Sequence, residues 1–153
     1  VVDALTPEQY YDEYSKLLAE RKQESVMYSK QYFCSLASSA IERGHGAILS
    51  IVDKGGRVCT SLFVLWDSSK AYASSYWTRT SELNSGTSSM VFHEAVKYLN
   101  GKTLSFDFEG SMDSGISTSY AMFATRQRQM VRVRRGNGLK GSLIEKIIQI
   151  RQK

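Results

Sequence analysis

The sequence is poor in the residues that mark special classes of protein. It holds one proline and eleven glycines in 153 residues, which excludes collagen-like and low-complexity chains. Its two cysteines, Cys34 and Cys59, are too few for a disulfide framework, and as lone thiols they fit a reducing cytoplasm. No Cys-x-x-Cys or His-x-x-x-His spacing involves the two histidines, His45 and His93, so neither structural zinc nor another metal is expected. No apolar run approaches the ~18–20 residues of a membrane span. The chain opens Val1-Val2-Asp3, without a basic start, an apolar stretch or a methionine. The expectation is a cytoplasmic protein without a secretory leader, either a processed product or a domain of a longer one.

What is present reads as an ordinary globular chain: 42% hydrophobic and 23% charged residues. At roughly 100–200 residues per domain, 1–153 is expected to be one domain, large enough to need no staples. Nine tyrosines, six phenylalanines and two tryptophans point to an aromatic core or cleft. The net charge is +5, and five arginines stand between Arg126 and Arg135 with no acid among them. Such a stretch is either a solvated strand face with a basic loop or a site for a phosphorylated ligand, RNA or an acidic partner.

Thr6-Pro7-Glu8-Gln9 is a helix start, with Thr6 as cap, Pro7 in the first turn and Gln9 closing a capping box. Tyr10, Tyr11, Tyr14, Leu17 and Leu18 continue it at helical spacing, to an end near Lys22. A second helix is expected from Ser29, burying Phe33, Leu36, Ala37, Ala40 and Ile41, with Gly44 as its stop. The period then changes to that of strands. Ala47–Val52, Arg57–Trp66 and Ala71–Trp77 form an antiparallel meander, joined by turns at 53–56 and 67–70. A polar loop, 78–85, leads to a helix over 86–99 with Met90, Val91, Ala95, Val96 and Leu99 inward. Thr103–Phe108 is an alternating strand with Leu104, Phe106 and Phe108 on one face and Ser105, Asp107 and Glu109 on the other. A short helix over 116–123, a strand over 129–134 and an amphipathic helix over 142–152 complete the pattern. The helix before Thr103–Phe108 makes a crossover, so that strand should run parallel to Ala71–Trp77. A mixed α/β (α+β) sheet with helices on both faces follows.

This element order resembles the GNAT acyltransferase fold, with Val1-Val2 as a stub of its first strand. Three stretches resemble the FemAB-like branch of that superfamily: Phe63–Asp67 followed by Ala71-Tyr72, Asn84–Met90 followed by His93–Tyr98, and Phe106-Asp107-Phe108-Glu109-Gly110-Ser111-Met112. The likeness runs from about Leu5 to Arg135. It implies transfer of an acyl or aminoacyl group, from acyl-CoA or aminoacyl-tRNA, to an amine that in the family includes cell-wall precursors. It also implies that an N-terminal half of the same kind can precede such a chain. Of the Arg/Gln-x-x-Gly-x-Gly/Ala phosphate loop of ordinary GNAT enzymes only Gly86 is kept. The alternative reading is therefore a non-catalytic GNAT-like module that recognises RNA or a protein partner.

Acyl transfer needs a held donor, a polarised carbonyl and a route for the amine proton. Asn84, Ser85, Gly86, Thr87 and Ser88 form a loop feeding a helix N-terminus, where free N–H groups face an anion, and Arg126 is a further donor-binding candidate. The opposing reading of that loop is plain capping by Ser85 or Thr87. Asp107 and Glu109 share a strand face, so either can act as a base, or Asp107 can tie down a neighbouring loop. Tyr120 can supply a proton to the leaving group, or simply pack in the core. Trp66, Tyr72, Tyr76 and Trp77 either stack on a base or sugar or form cross-strand pairs. His45 and His93 form no triad with Cys34 or Cys59.

Overall fold

The structure, a computed structural model, describes residues 5–23, 28–109, 114–123 and 126. The chain divides into two compact units, Val1–Met122 and Phe123–Lys153, and every element below belongs to the first. The expected strand at Val1-Val2, the strand over 129–134, the helix over 142–152 and the arginines after Arg126 lie outside the described residues.

The first helix, α1 (Pro7–Glu20), starts as its sequence requires. The Thr6 hydroxyl accepts from the Gln9 N–H at 3.3 Å, and the Gln9 side chain accepts from the Thr6 N–H at 2.9 Å. Ser29 caps α2 (Lys30–Glu42), and Gly44, at φ +71°, ends it where a side chain would be strained. Phe33 and Ala37 are the buried residues of α2. The expectation for Leu36 fails. It sits exposed on the flank of the stripe formed by buried Phe33 and Ala37 and half-buried Ile41 at i, i+4, i+8.

Strands β1 (Gly46–Val52), β2 (Val58–Trp66) and β3 (Ala71–Thr78) form the antiparallel meander. The Asp67 carboxylate organises the β2–β3 turn by accepting from the Ser69 N–H at 2.7 Å, the Ser69 hydroxyl at 2.7 Å and the Lys70 N–H at 2.8 Å. Those bonds favour its charged form and hold its pKa down at about 2, from 3.8. A lowered folded pKa gives stability that is present above the unfolded value and lost as pH falls through the folded one. Asp67→Ala should therefore melt below the parent at neutral pH, and the gap should close between pH 3.8 and about 2 in thermal scans.

After a single 3₁₀ turn, Thr80–Glu82, α3 (Thr87–Leu99) crosses the sheet and buries Val91, Phe92, Ala95 and Leu99. Met90 and Val96, expected inside, are 52% and 44% exposed. Phe92 takes their place, because the buried arc centres on Ala95 and Leu99. The crossover returns as β4 (Phe106–Asp107), which pairs parallel with β3 through Ala71↔Phe106 and Tyr72↔Asp107. The sheet order is β1-β2-β3-β4. The parallel pairing matches the expectation, but the strand is two residues long and not Thr103–Phe108. Asn100 to Ser105 is spent on the turn out of α3, around Gly101 at φ +80°, and leaves Leu104 88% exposed. A final helix, α4 (Ser114–Ala121), follows.

Two apolar layers hold the sheet. On one face α3 covers Leu49, Leu62, Val64 and Ala73, with Phe106, Phe108 and Tyr120 packed against them. On the other, α1 and α2 place Tyr10, Leu17 and Phe33 over Ile48, Phe63 and Trp77. The mixed α/β sheet with helices on both faces is as expected. Among the described residues no helix is long and apolar enough to cross a membrane.

Candidate active site

β3 and β4 run side by side for two residue pairs and then part. Past Tyr72, β3 continues for six residues, Ala73 to Thr78, with no strand on that side among the described residues. Ligands in α/β sheets settle in the crevice beyond the carboxyl ends of parallel strands, so the end of the β3–β4 pair is the candidate crevice.

The same stretch of β3 carries a bulge. Its register with β2 passes from Val64↔Ala73 to Phe63↔Ser75, which leaves Ser74 as the extra residue. One extra residue reverses the alternation of everything after it. Ala71 and Ala73 face α3, whereas beyond the bulge Tyr76 faces α3 and Trp77 lies under α1. A bulge also takes backbone polar groups out of the ladder, here at the open edge. Nothing in the residue types Ala73-Ser74-Ser75 announces this.

At the end of β3 the chain enters the loop singled out from sequence. Gly86, at φ +82°, is the N-cap of α3 and has no side chain to cap with. Of the two expected alternative caps, Ser85 satisfies one donor of the first turn. The Ser85 hydroxyl donates to the Glu82 carbonyl at 2.8 Å and accepts from the Thr87 N–H at 3.3 Å. The first turn of α3 contains no acid, and its N–H groups after Thr87, together with the helix dipole, favour an anion. Ser88 fixes that turn to the sheet. Its hydroxyl lies 2.8 Å from Thr78 Oγ1, which in turn is 2.9 Å from Thr60 Oγ1. Asn84, Ser85 and Gly86 are exposed. Arg126 is exposed too and belongs to the second unit.

The α3-side wall of the crevice is aromatic. Phe92 sits between Tyr76, at 5.1 Å between ring centroids, and Tyr120, at 5.5 Å. Phe108 packs on both Phe92 and Tyr120, at 5.4 and 5.2 Å. Tyr120 is half-buried on α4, and burial, with Tyr76 beside it, pushes its pKa well above the ordinary phenol value. It is a neutral phenol at physiological pH. On the α1 side the fully buried Tyr10 donates to the Ser75 carbonyl at 2.8 Å, which fixes the edge of β3 just after the bulge. Of the other aromatics marked from sequence, Trp66 and Trp77 are core residues, and Tyr72 is half-buried next to Lys70.

Asp107 is used structurally. One carboxylate oxygen pairs with Lys70 at 3.3 Å and the other accepts from the Glu109 N–H at 2.9 Å. Glu109 departs from the expected alternation, because its backbone turns to φ +62° and ends the strand. Its carboxylate is exposed beyond β4. Elsewhere, a groove of about 370 Å³ lies between α1 and the start of β2. Its charged side chains are all in ion pairs: Arg79 with Glu13 at 2.8 Å, Arg57 with Asp53 and Glu82, each at 3.0 Å, and Asp12 with Lys30 at 2.6 Å. Among the described residues no group of His, Cys, Asp and Glu is placed to hold a metal.

No protein-family model matches the chain, and no curated protein matches it. Solved structures do match. The Trypanosoma brucei acetyltransferase superposes with a TM-score of 0.57 at 13% identity, covering 82% of this chain and 94% of its own. Glucosamine-6-phosphate N-acetyltransferase from Arabidopsis thaliana gives 0.59 at 9% identity, over 84% and 93%. Ribosomal-protein-alanine N-acetyltransferase from Brucella melitensis gives 0.59 at 10% identity, over 84% and 93%. At such identities the likeness is one of fold: the chain has the GNAT acetyltransferase fold.

Proposed function

We propose that this protein is an acyltransferase that moves an acyl group from an acyl-CoA to an amine. The observation that carries the reading is the end of the β3–β4 pairing at Tyr72↔Asp107, just before the Ser74 bulge, with the acid-free N-terminus of α3 following β3. In this reading the donor's phosphates sit on the backbone of Asn84 to Ser88. The backbone N–H groups freed at the bulge polarise the thioester carbonyl as charge develops on its oxygen. Tyr120 protonates the departing thiolate. A primary amine with a pKa of roughly 10 arrives as an ammonium and must lose a proton before it can attack. Glu109 takes that proton and passes it to solvent, and Asp107 holds the turn from which Glu109 projects.

Membership of the FemAB-like branch belongs to the same proposal and rests on the resemblance of Phe63–Asp67, Asn84–Met90 and Phe106–Met112. So do a cytoplasmic site of action, a single domain over 1–153, and aminoacyl-tRNA and a cell-wall precursor as the branch's own donor and acceptor.

The test is a panel of acyl-CoAs and amines, read by melting temperature and by release of free thiol. A donor that binds only the folded chain at 100 times its Kd adds about 2.7 kcal/mol of stability. Thiol release should depend on the amine. With Glu109→Gln, kcat/KM at neutral pH should fall roughly 10²-fold, and the deficit should shrink as pH approaches the amine's own pKa. A chain that neither melts higher with any acyl-CoA nor releases thiol is not this enzyme, and saturable RNA binding with a steep salt slope would then favour the binding module.

A further inference from the structure

The acyl-transfer reading leaves a second proton to place. Once the C–N bond forms, the nitrogen still carries one proton too many and the thiolate lacks one. We infer that Tyr76 and Tyr120 form a two-hydroxyl relay that carries the proton from the attacking nitrogen to the leaving sulfur; this rests on the acyl-transfer reading above.

The geometry is that of the open edge. Tyr76 stands two residues past the extra residue of the bulge, and the reversal of alternation there brings its ring to the α3 side. Its ring and that of Tyr120 both meet Phe92 edge-on, at interplanar angles of 69° and 72°. The two phenols thus come from β3 and α4 onto one shared ring, Phe92, and Tyr76 is a side-chain hydrogen-bond partner of Tyr120. Tyr76 is also felt on the opposite layer. Tyr14 of α1, edge-on to Tyr10 at 6.2 Å, has its pKa raised by burial and by Tyr76. At Tyr76 β3 is paired with β2 through Leu62↔Tyr76 on one side only, and its other edge has no described strand.

The chemistry gives the pair a reason. A thiol has a pKa of roughly 8.5 and an ordinary phenol one of about 10. Burial holds Tyr120 higher still, so alone it would give its proton to a thiolate only uphill. A relay removes that cost. The N–H bond of the attacking nitrogen breaks toward Tyr76 Oη, the Tyr76 proton moves to Tyr120 Oη, and the Tyr120 proton moves to sulfur as the C–S bond breaks. One proton enters and one leaves, both phenols end neutral, and the products are amide and free thiol.

The experiment is a double-mutant cycle of Tyr76→Phe and Tyr120→Phe with solvent-isotope measurements. Tyr76→Phe should lower kcat roughly tenfold or more and leave the acyl-CoA KM and melting temperature near the parent's. The double variant should be no slower than Tyr120→Phe alone, because members of one relay are not additive. The parent's proton inventory should be curved, and that of Tyr76→Phe linear. Additive losses, or a linear inventory in the parent, overturn the relay. A second readout needs no turnover: in spectrophotometric titration of tyrosine ionisation, Tyr76→Phe must shift the step assigned to Tyr120 by its own Phe variant. No shift overturns the relay. A shift in a chain that turns over no acyl-CoA supports the coupled pair and overturns the acyl-transfer reading instead.

Discussion

Tyr120→Phe is expected to lower kcat with an acyl-CoA donor by roughly 10²-fold or more, with little change in donor KM. In the proposed reaction the hydroxyl acts only when negative charge collects on sulfur, so removing it should cost the transition state and not the bound ground state. The ring stays. Its contacts with Phe92 at 5.5 Å and Phe108 at 5.2 Å are kept by phenylalanine, and the fold should lose little. Initial rates over a range of donor concentrations, with melting temperature as the folding control, give both quantities. The leaving group itself offers a second check. An acyl donor whose thiolate is already a weak base needs no acid, and should react with parent and variant at nearly equal rates. A variant with parental kcat on the CoA thioester would remove Tyr120 from the chemistry and leave its half-burial as plain packing.

Phe63→Ala is expected to cost about 3–5 kcal/mol of stability, the range for deleting a large buried ring. Phe63 is fully buried on β2. It meets Phe33 of α2 edge-on at 5.4 Å and belongs to the layer that holds α1 and α2 against the sheet. Phe33 in turn stacks on Tyr10 at 5.4 Å, and Tyr10 holds the carbonyl of Ser75 at the edge of the crevice. A cavity at Phe63 therefore loosens both the helical layer and the strand that carries the bulge. A domain has about 5–15 kcal/mol in all, so the variant stands near its unfolding threshold. Urea melts followed by circular dichroism measure the loss. A change below about 1 kcal/mol would mean that the α1–α2 layer collapses into the space or contributes little to the fold.

The sequence by itself determined the elements and most of their caps. Thr6 and Gln9, Ser29, Gly44 and the turn at Asp67 are written in residue types whose side chains or backbone freedom act within a few positions, so they need no knowledge of the rest of the chain. The meander and the parallel return of β4 followed from the order of strands and one intervening helix, because a crossover has few ways to close. Asn84 to Ser88 was legible as a helix entrance for the same local reason.

The tertiary structure decided what depends on neighbours far apart in sequence. Whether Met90 or Phe92 faces inward depends on how α3 lies on the sheet, to which the apolar pattern is blind within one residue of rotation. The bulge at Ser74 is a mismatch between two strands and belongs to neither alone, and it decides on which side of the sheet Tyr76 stands. The strict alternation expected for Ser105, Asp107 and Glu109 gave way because the turn out of α3 used residues up to Ser105, and because Asp107 turned its carboxylate to Lys70 and to the backbone of Glu109. Tyr14, Tyr76 and Tyr120 lie 62 and 44 residues apart in the chain. Only packing around the unpaired edge of β3 relates them, which is why residue types and spacing gave no sign that Tyr76 links the other two.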